Sequence, residues 1–135
     1  MKKIFIFIAL IILITLILPE KYPLDLGNRY SIDYDGRDDH ALFKQGNRFV
    51  IEGHILDYAF NNNYIAAKQR PRAELKGCGI GDGYDSCKKA FEESTFFQYW
   101  IINKASGEKF GPFSLEAYTS KLEELGITND EFLNL

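Results

Sequence analysis

The sequence predicts an α+β domain: an antiparallel sheet of five to seven strands closed by a C-terminal helix, preceded by an N-terminal hydrophobic signal or anchor helix. Three observations predict it. An uncharged apolar run, Ile4 to Leu18, follows Lys2 and Lys3. From Arg29 to Phe110 short β-branched and aromatic runs alternate with Gly, Asn and Asp turns, the pattern of antiparallel strands, and Gly111-Pro112 is expected to stop the sheet. After Gly111 and Pro112, apolar residues recur at spacings of three and four, Leu115, Tyr118, Leu122 and Leu125, the period of one helix face. A chain of 135 residues suits one domain of about 100 to 150 residues, so large multidomain enzymes are excluded.

The apolar run holds a single polar residue, Thr15. Two lysines ahead of it form the positive flank of an export signal, and the positive-inside rule keeps them in the cytoplasm. At about 1.5 Å per residue the run spans roughly 22 Å, short of a hydrocarbon core of about 30 Å, so an anchored segment thins the bilayer locally or lets Lys2, Lys3 and Lys21 snorkel. No A-x-A-like cleavage site follows it, which favours an uncleaved anchor over a cleaved signal peptide. The expected organisation is a signal anchor or signal peptide at 1–19, a linker at 20–28 and a single exported domain at 29–135 with a cysteine loop at 70–94. Membrane contact is expected through residues 4–18, with the domain outside the cytoplasmic membrane, or secreted or periplasmic if cleaved.

The strands follow in order. Tyr30, Ile32 and Tyr34 alternate with Ser31 and Asp33, Asp35-Gly36 marks a turn, and Ala41 to Lys44 resumes an apolar segment, which reads as a hairpin. Gly46-Asn47 turns into a long segment, Arg48 to Phe60, bent or bulged at Gly53. The alternation places Glu52, His54 and Leu56 on one face. Asn61 to Asn63 then reverses the chain into Tyr64 to Gln69, which should pair antiparallel with it. The stretch from Gln69 to Ser94 is an excursion with a short helix at 88–93. TFFQYWIINK at 95–104 is apolar on both faces and is expected to be central. Ser114 is placed to cap the C-terminal helix, Gly126 to end it, and Thr128 with Glu131 to form a capping box for a last short helix that packs Phe132 and Leu133.

The two cysteines, Cys78 and Cys87, lie in a glycine-rich loop. An even count in an exported chain favours a disulfide; two free thiols are the alternative. A loop this short gives about 2 to 3 kcal/mol. The segment GCGIGDG at 77–83 lacks the Lys-Ser/Thr of a phosphate-binding loop.

The charge balance, 16 Lys and Arg against 19 Asp and Glu for a net −3, lacks the basic surplus that drives nucleic-acid binding, so no nucleic-acid partner is expected. No cofactor is expected either. Histidine chemistry is confined to His40, beside Asp38 and Asp39, and His54, near Glu52 and Asp57, which would serve an envelope hydrolase with a carboxylate partner. The acidic cluster Asp33, Asp35, Asp38 and Asp39 is a calcium candidate. Arg37 interrupts it and no closing Glu follows, so a solvated turn is the preferred reading; Asp82 and Asp85 form a second, thinner candidate.

YAFNNNYIAAKQ at 58–69, YWIINK at 99–104 and Gly111-Pro112 before a helix resemble a family of small exported bacterial proteins that is itself a domain of unknown function; the match spans about residues 29–128. Many of its members look like lipoproteins, whereas this chain has no cysteine after its apolar run, and its Cys78–Cys87 excursion is longer than the connection usual there. A shorter similarity is to GYF-like modules, whose aromatic strand, Gly-Pro and helix resemble residues 99–126. Such modules dock proline-rich peptides on exposed aromatics, which implies Tyr99, Trp100, Phe110 and Phe113 as binding residues; a role for Trp100 and Phe110 in the core is the competing reading. The expected function is non-enzymatic binding of an envelope protein or peptide; a hydrolase and an immunity-like or inhibitor protein are the alternatives.

Overall fold

A computed structural model describes residues 22–34, 40–45, 48–71 and 84–135. The apolar run, Asp35, Asp38, Asp39, Asp82, and Cys78 lie outside them, and so do the side chains of Asp85 and Cys87; the anchor, the disulfide and most of both calcium clusters are therefore outside the described residues. No helix among the described residues is long and apolar enough to cross a membrane.

The chain forms two four-stranded antiparallel meanders rather than one sheet. The first contains β1 (Leu24–Gly27), β2 (Tyr30–Tyr34), β3 (His40–Lys44) and β4 (Arg48–Ile51), and the second β5 (Ile55–Phe60), β6 (Tyr64–Gln69), β7 (Gln98–Asn103) and β8 (Lys109–Phe113), each in chain order. Helix α1 (Tyr84–Glu93) lies between β6 and β7, and α2 (Leu115–Glu124) and α3 (Asp130–Leu133) follow β8.

Two expectations are corrected here. The segment 48–60 is not one bent strand: β4 and β5 belong to different sheets, and the chain changes sheet at the buried Gly53. Glu52 and His54 therefore sit in the crossover, not on a strand face. Part of the expected linker, Leu24–Gly27, is strand β1. Its register on β2, Leu24 opposite Ile32 and Gly27 opposite Tyr30, buries Leu26 completely, so the partner strand, not local propensity, makes it a strand.

The sheets share one core. Leu26, Tyr30, Ile32, Leu42 and Ile51 of the first face Ile55, Ile65, Ala67 and Ile102 of the second. Alternation sends the remaining side chains of β6 and β7 to the opposite face, where Ala66, Tyr99 and Ile101 pack with Ala59 under Tyr118, Leu122, Ile127, Phe132 and Leu135. The second sheet is thus buried on both faces, which is why β7 reads as apolar throughout. Each fully buried Ile or Leu contributes about 1.5 to 3 kcal/mol.

Crossover and core are tied by Gln69, only 6% exposed. Its Nε2 donates to the Glu52 carbonyl at 2.7 Å, and its Oε1 accepts from the Trp100 Nε1–H at 2.8 Å. Both ends of a buried amide are thereby satisfied.

Helix α2 begins as expected, with Ser114 Oγ accepting from the Ala117 N–H at 3.3 Å. It ends in a Schellman motif: Gly126, at φ 68°, donates to the Glu123 carbonyl, and Ile127 donates to Leu122. Leu122 and Ile127 are both buried, which supplies the motif's apolar contact. The capping box does not form. The N-cap of α3 is Asn129, without a side-chain cap bond, so Thr128 falls one residue too early. Phe132 is buried, whereas Leu133 is 47% exposed and Leu135 packs in its place.

Candidate functional site

Strand β8 is an edge of the second sheet. Phe113 pairs with Tyr99 and Phe110 with Ile101, so three steps on β8 oppose two on β7. The extra residue is accommodated at Gly111, φ 119°, followed by Pro112. Residues three apart on a regular strand face opposite ways; the bulge returns both Phe110 and Phe113 to the helix side. No other residue fits at Gly111, because a Cβ there would lie 2.7 Å from the Tyr99 carbonyl oxygen and 3.0 Å from Trp100 Cε3.

Between β8 and α2 this leaves a groove of about 590 Å³ lined by Phe110, Phe113, Ala117, Lys109, Lys121 and Glu124, among others. Phe110 and Phe113 are half-buried, so each supports the core and still shows a face to the groove. Lys121 Nζ stands 4.6 Å from the Phe110 ring centroid and pairs with Glu124 at 2.7 Å. The Lys109 Nζ crosses to the other side of the sheet, 4.9 Å over the Trp100 ring, and donates to the Val50 carbonyl at 3.0 Å.

The four aromatic residues implied by the GYF-like similarity are thus divided. Phe110 and Phe113 meet in the groove. Tyr99 is buried beneath Tyr118, ring centroids 5.1 Å apart. Trp100 faces the other sheet and serves the Gln69 tie.

The histidines are apart in role and place. His40, on β3, packs between Tyr22 and Tyr34, with ring centroids at 4.5 and 4.7 Å. Its Nε2 is buried without a hydrogen-bond partner among the described residues. His54 packs on Phe91 of α1 at 4.7 Å. Asp33 Oδ1 accepts from the Tyr34 N–H. Among the described residues no cluster of three or more His, Cys, Asp or Glu could hold a metal.

Two features escaped the sequence reading. Lys68 and Arg70, alternate residues near the end of β6, both cover Phe97, at 4.8 and 5.6 Å from its centroid. Lys104 is 6% exposed. Burial pushes its ammonium below the ordinary lysine range, and the Asp25 carboxylate pulls it partly back. The signal for Lys104 was present: alternation from Trp100 and Ile102 carries on to residue 104 and the inner face.

Fold and groove together define a two-sheet α+β domain whose second sheet is helix-covered and whose edge strand is bulged against a helix. The chain belongs to the family described as protein of unknown function DUF3997, whose pattern matches residues 27–134. No curated protein and no solved structure matches it.

Proposed function

We propose that this protein is a non-enzymatic interaction module of the bacterial cell envelope, tethered by residues 4–18, that docks an extended peptide segment of a partner protein in the groove between β8 and α2. The carrying observation is the bulge at Gly111, which turns Phe110 and Phe113 to one side of a sheet edge and lays them open beside Ala117. Aromatic floors of this kind bind extended segments through ring contact, and an edge strand adds main-chain hydrogen bonds. The groove's one carboxylate, Glu124, is paired with Lys121, and the Lys109 ammonium lies across the sheet on the Val50 carbonyl, so the groove favours uncharged, apolar segments. An immunity-like or inhibitor role is a special case of the same docking.

The test uses a photo-crosslinking amino acid at Ala117, exposed in the groove, in the full chain expressed in its own cell envelope. A discrete adduct from position 117 and none from the exposed Thr128 is the expected result, and Ala117→Glu should abolish capture of the same partner. Equal crosslinking from both positions would refute the groove.

A further inference from the structure

A second concave site lies between turns of the two sheets and shares no lining residue with the β8–α2 groove. A cleft of about 410 Å³ opens between the β1–β2 turn, with Gly27 and Asn28, and the β5–β6 turn, with Asn61 and Asn62; Lys104 and Phe60 line it. Lys104 is the only buried charged side chain among the described residues. Its Nζ donates to the Leu26 carbonyl and lies 5.2 Å from the Phe60 ring centroid. An ammonium has three N–H donors. Leu26 takes one, and no carboxylate is within ion-pair distance among the described residues. Asp25, on the rim, spends Oδ1 on the Gly27 N–H at 2.8 Å.

Burying a cation with donors unmatched is costly, and a counter-charge offsets that cost. The cleft is shaped to admit one. A Cβ on Gly27 would lie 3.5 Å from Lys104 Nζ, so the glycine leaves the ammonium open from that side. On the facing turn, Asn61 lines the cleft and its Oδ1 already accepts from the Asn63 and Tyr64 N–H groups, both at 2.8 Å, so the NH₂ is the part of its amide left to bond a ligand. Donors on both walls select an anion, and Asp25 at the rim opposes a doubly charged one more than a singly charged one.

We propose that this cleft binds a carboxylate, with Lys104 as its cationic anchor, Asn61 as a second donor and Phe60 as an apolar wall. The carboxylate belongs either to a free small acid or to the C-terminus of a chain.

The test titrates the full-length protein, ¹⁵N-labelled and in detergent, with acetate, with the acetylated dipeptide Ac-Gly-Ala bearing a free C-terminus, and with the same dipeptide amidated. Saturable shifts at Gly27, Asn28 and Asn61 with the free-acid dipeptide at about millimolar affinity, and none with the amide, are expected. Acetate acting as well as the dipeptide identifies a small acid; the dipeptide acting alone identifies a chain terminus. Lys104→Met should weaken binding at least about tenfold. Because that change also removes the tie to Leu26, Asn62→Glu, on the exposed turn, is the second variant: it leaves the fold intact and should weaken binding several-fold. Equal response to acid and amide, no saturable shift with either acid, or unchanged binding in Asn62→Glu would overturn the proposal.

Discussion

The two sheets share an inner face and differ on the outer one. On the second sheet, helices α2 and α3 cover Tyr99, Ile101 and Ala66, so its strands are apolar on both sides. On the first sheet the outer face carries Ser31, Asp33, Phe43 and Phe49; Phe43 and Phe49 pair across β3 and β4 with centroids 4.7 Å apart, and Phe49 remains 50% exposed. The lesson is that a strand's composition reports how many layers cover it. The proposed docking groove lies along the seam where helix α2 meets the edge strand β8.

The largest effect that sharpens this contrast is Phe132→Ala. Phe132 is fully buried under the helix layer, so truncation should cost about 3 to 5 kcal/mol in urea unfolding. A cost similar to that of a surface change would mean that the helices are not part of the cooperative unit.

Next is Gly111→Ala, which puts a Cβ into the Tyr99 carbonyl at a φ of 119°. It should cost about 3 kcal/mol and shift the amide resonances of Phe110 and Phe113, because the bulge has to rearrange. Wild-type stability would show that the edge strand tolerates another register.

Tyr118→Phe tests the hydrogen bond that joins α2 to α3, from the Tyr118 hydroxyl to the Phe132 carbonyl at 2.7 Å. The expected cost is about 2 kcal/mol, because a buried carbonyl loses its donor. Burial, with the neighbouring Tyr99 adding to it, raises the Tyr118 pKa well above its ordinary value of 10.0. The folded state therefore holds this proton more tightly than the unfolded chain. The resulting stabilisation is complete below the unfolded pKa and is lost as pH rises from there towards the folded value. The difference between wild type and Tyr118→Phe should be constant from about pH 6 to about pH 9 and shrink above pH 10.0. A difference that grows with alkali would reverse the assignment.

The smallest effect belongs to the half-exposed Phe49 on the outer face of the first sheet. Phe49→Ala should cost at most about 0.5 kcal/mol, by the same urea measurement. A cost near that of Phe132→Ala would require a further layer over the first sheet.

Local chemistry made part of this fold legible. Ser114 and Gly126 act on backbone groups within a turn of themselves, and the Asn61–Asn63 reversal is held by Asn61's own side chain; such signals need no distant partner. The capping box failed because the last helix begins one residue later than expected, with Asn129 rather than Thr128 at its N-cap. Of the candidate site, Phe110 and Phe113 were legible as aromatics flanking Gly111-Pro112, which was expected to stop the sheet; instead β8 runs through it with a bulge. Which side they face was not legible, since it depends on the register against β7.

By itself, the sequence determined the antiparallel strands of the second half, the span of α2, and the apolar, two-faced character of β7, because these follow from side-chain period and backbone capping. Only the tertiary structure decided that there are two sheets, that Leu24–Gly27 is a strand, that Trp100 is tied to Gln69, and that Lys104 is buried. Each of these rests on contacts between residues far apart in the chain, where burial against a partner surface outweighs local preference.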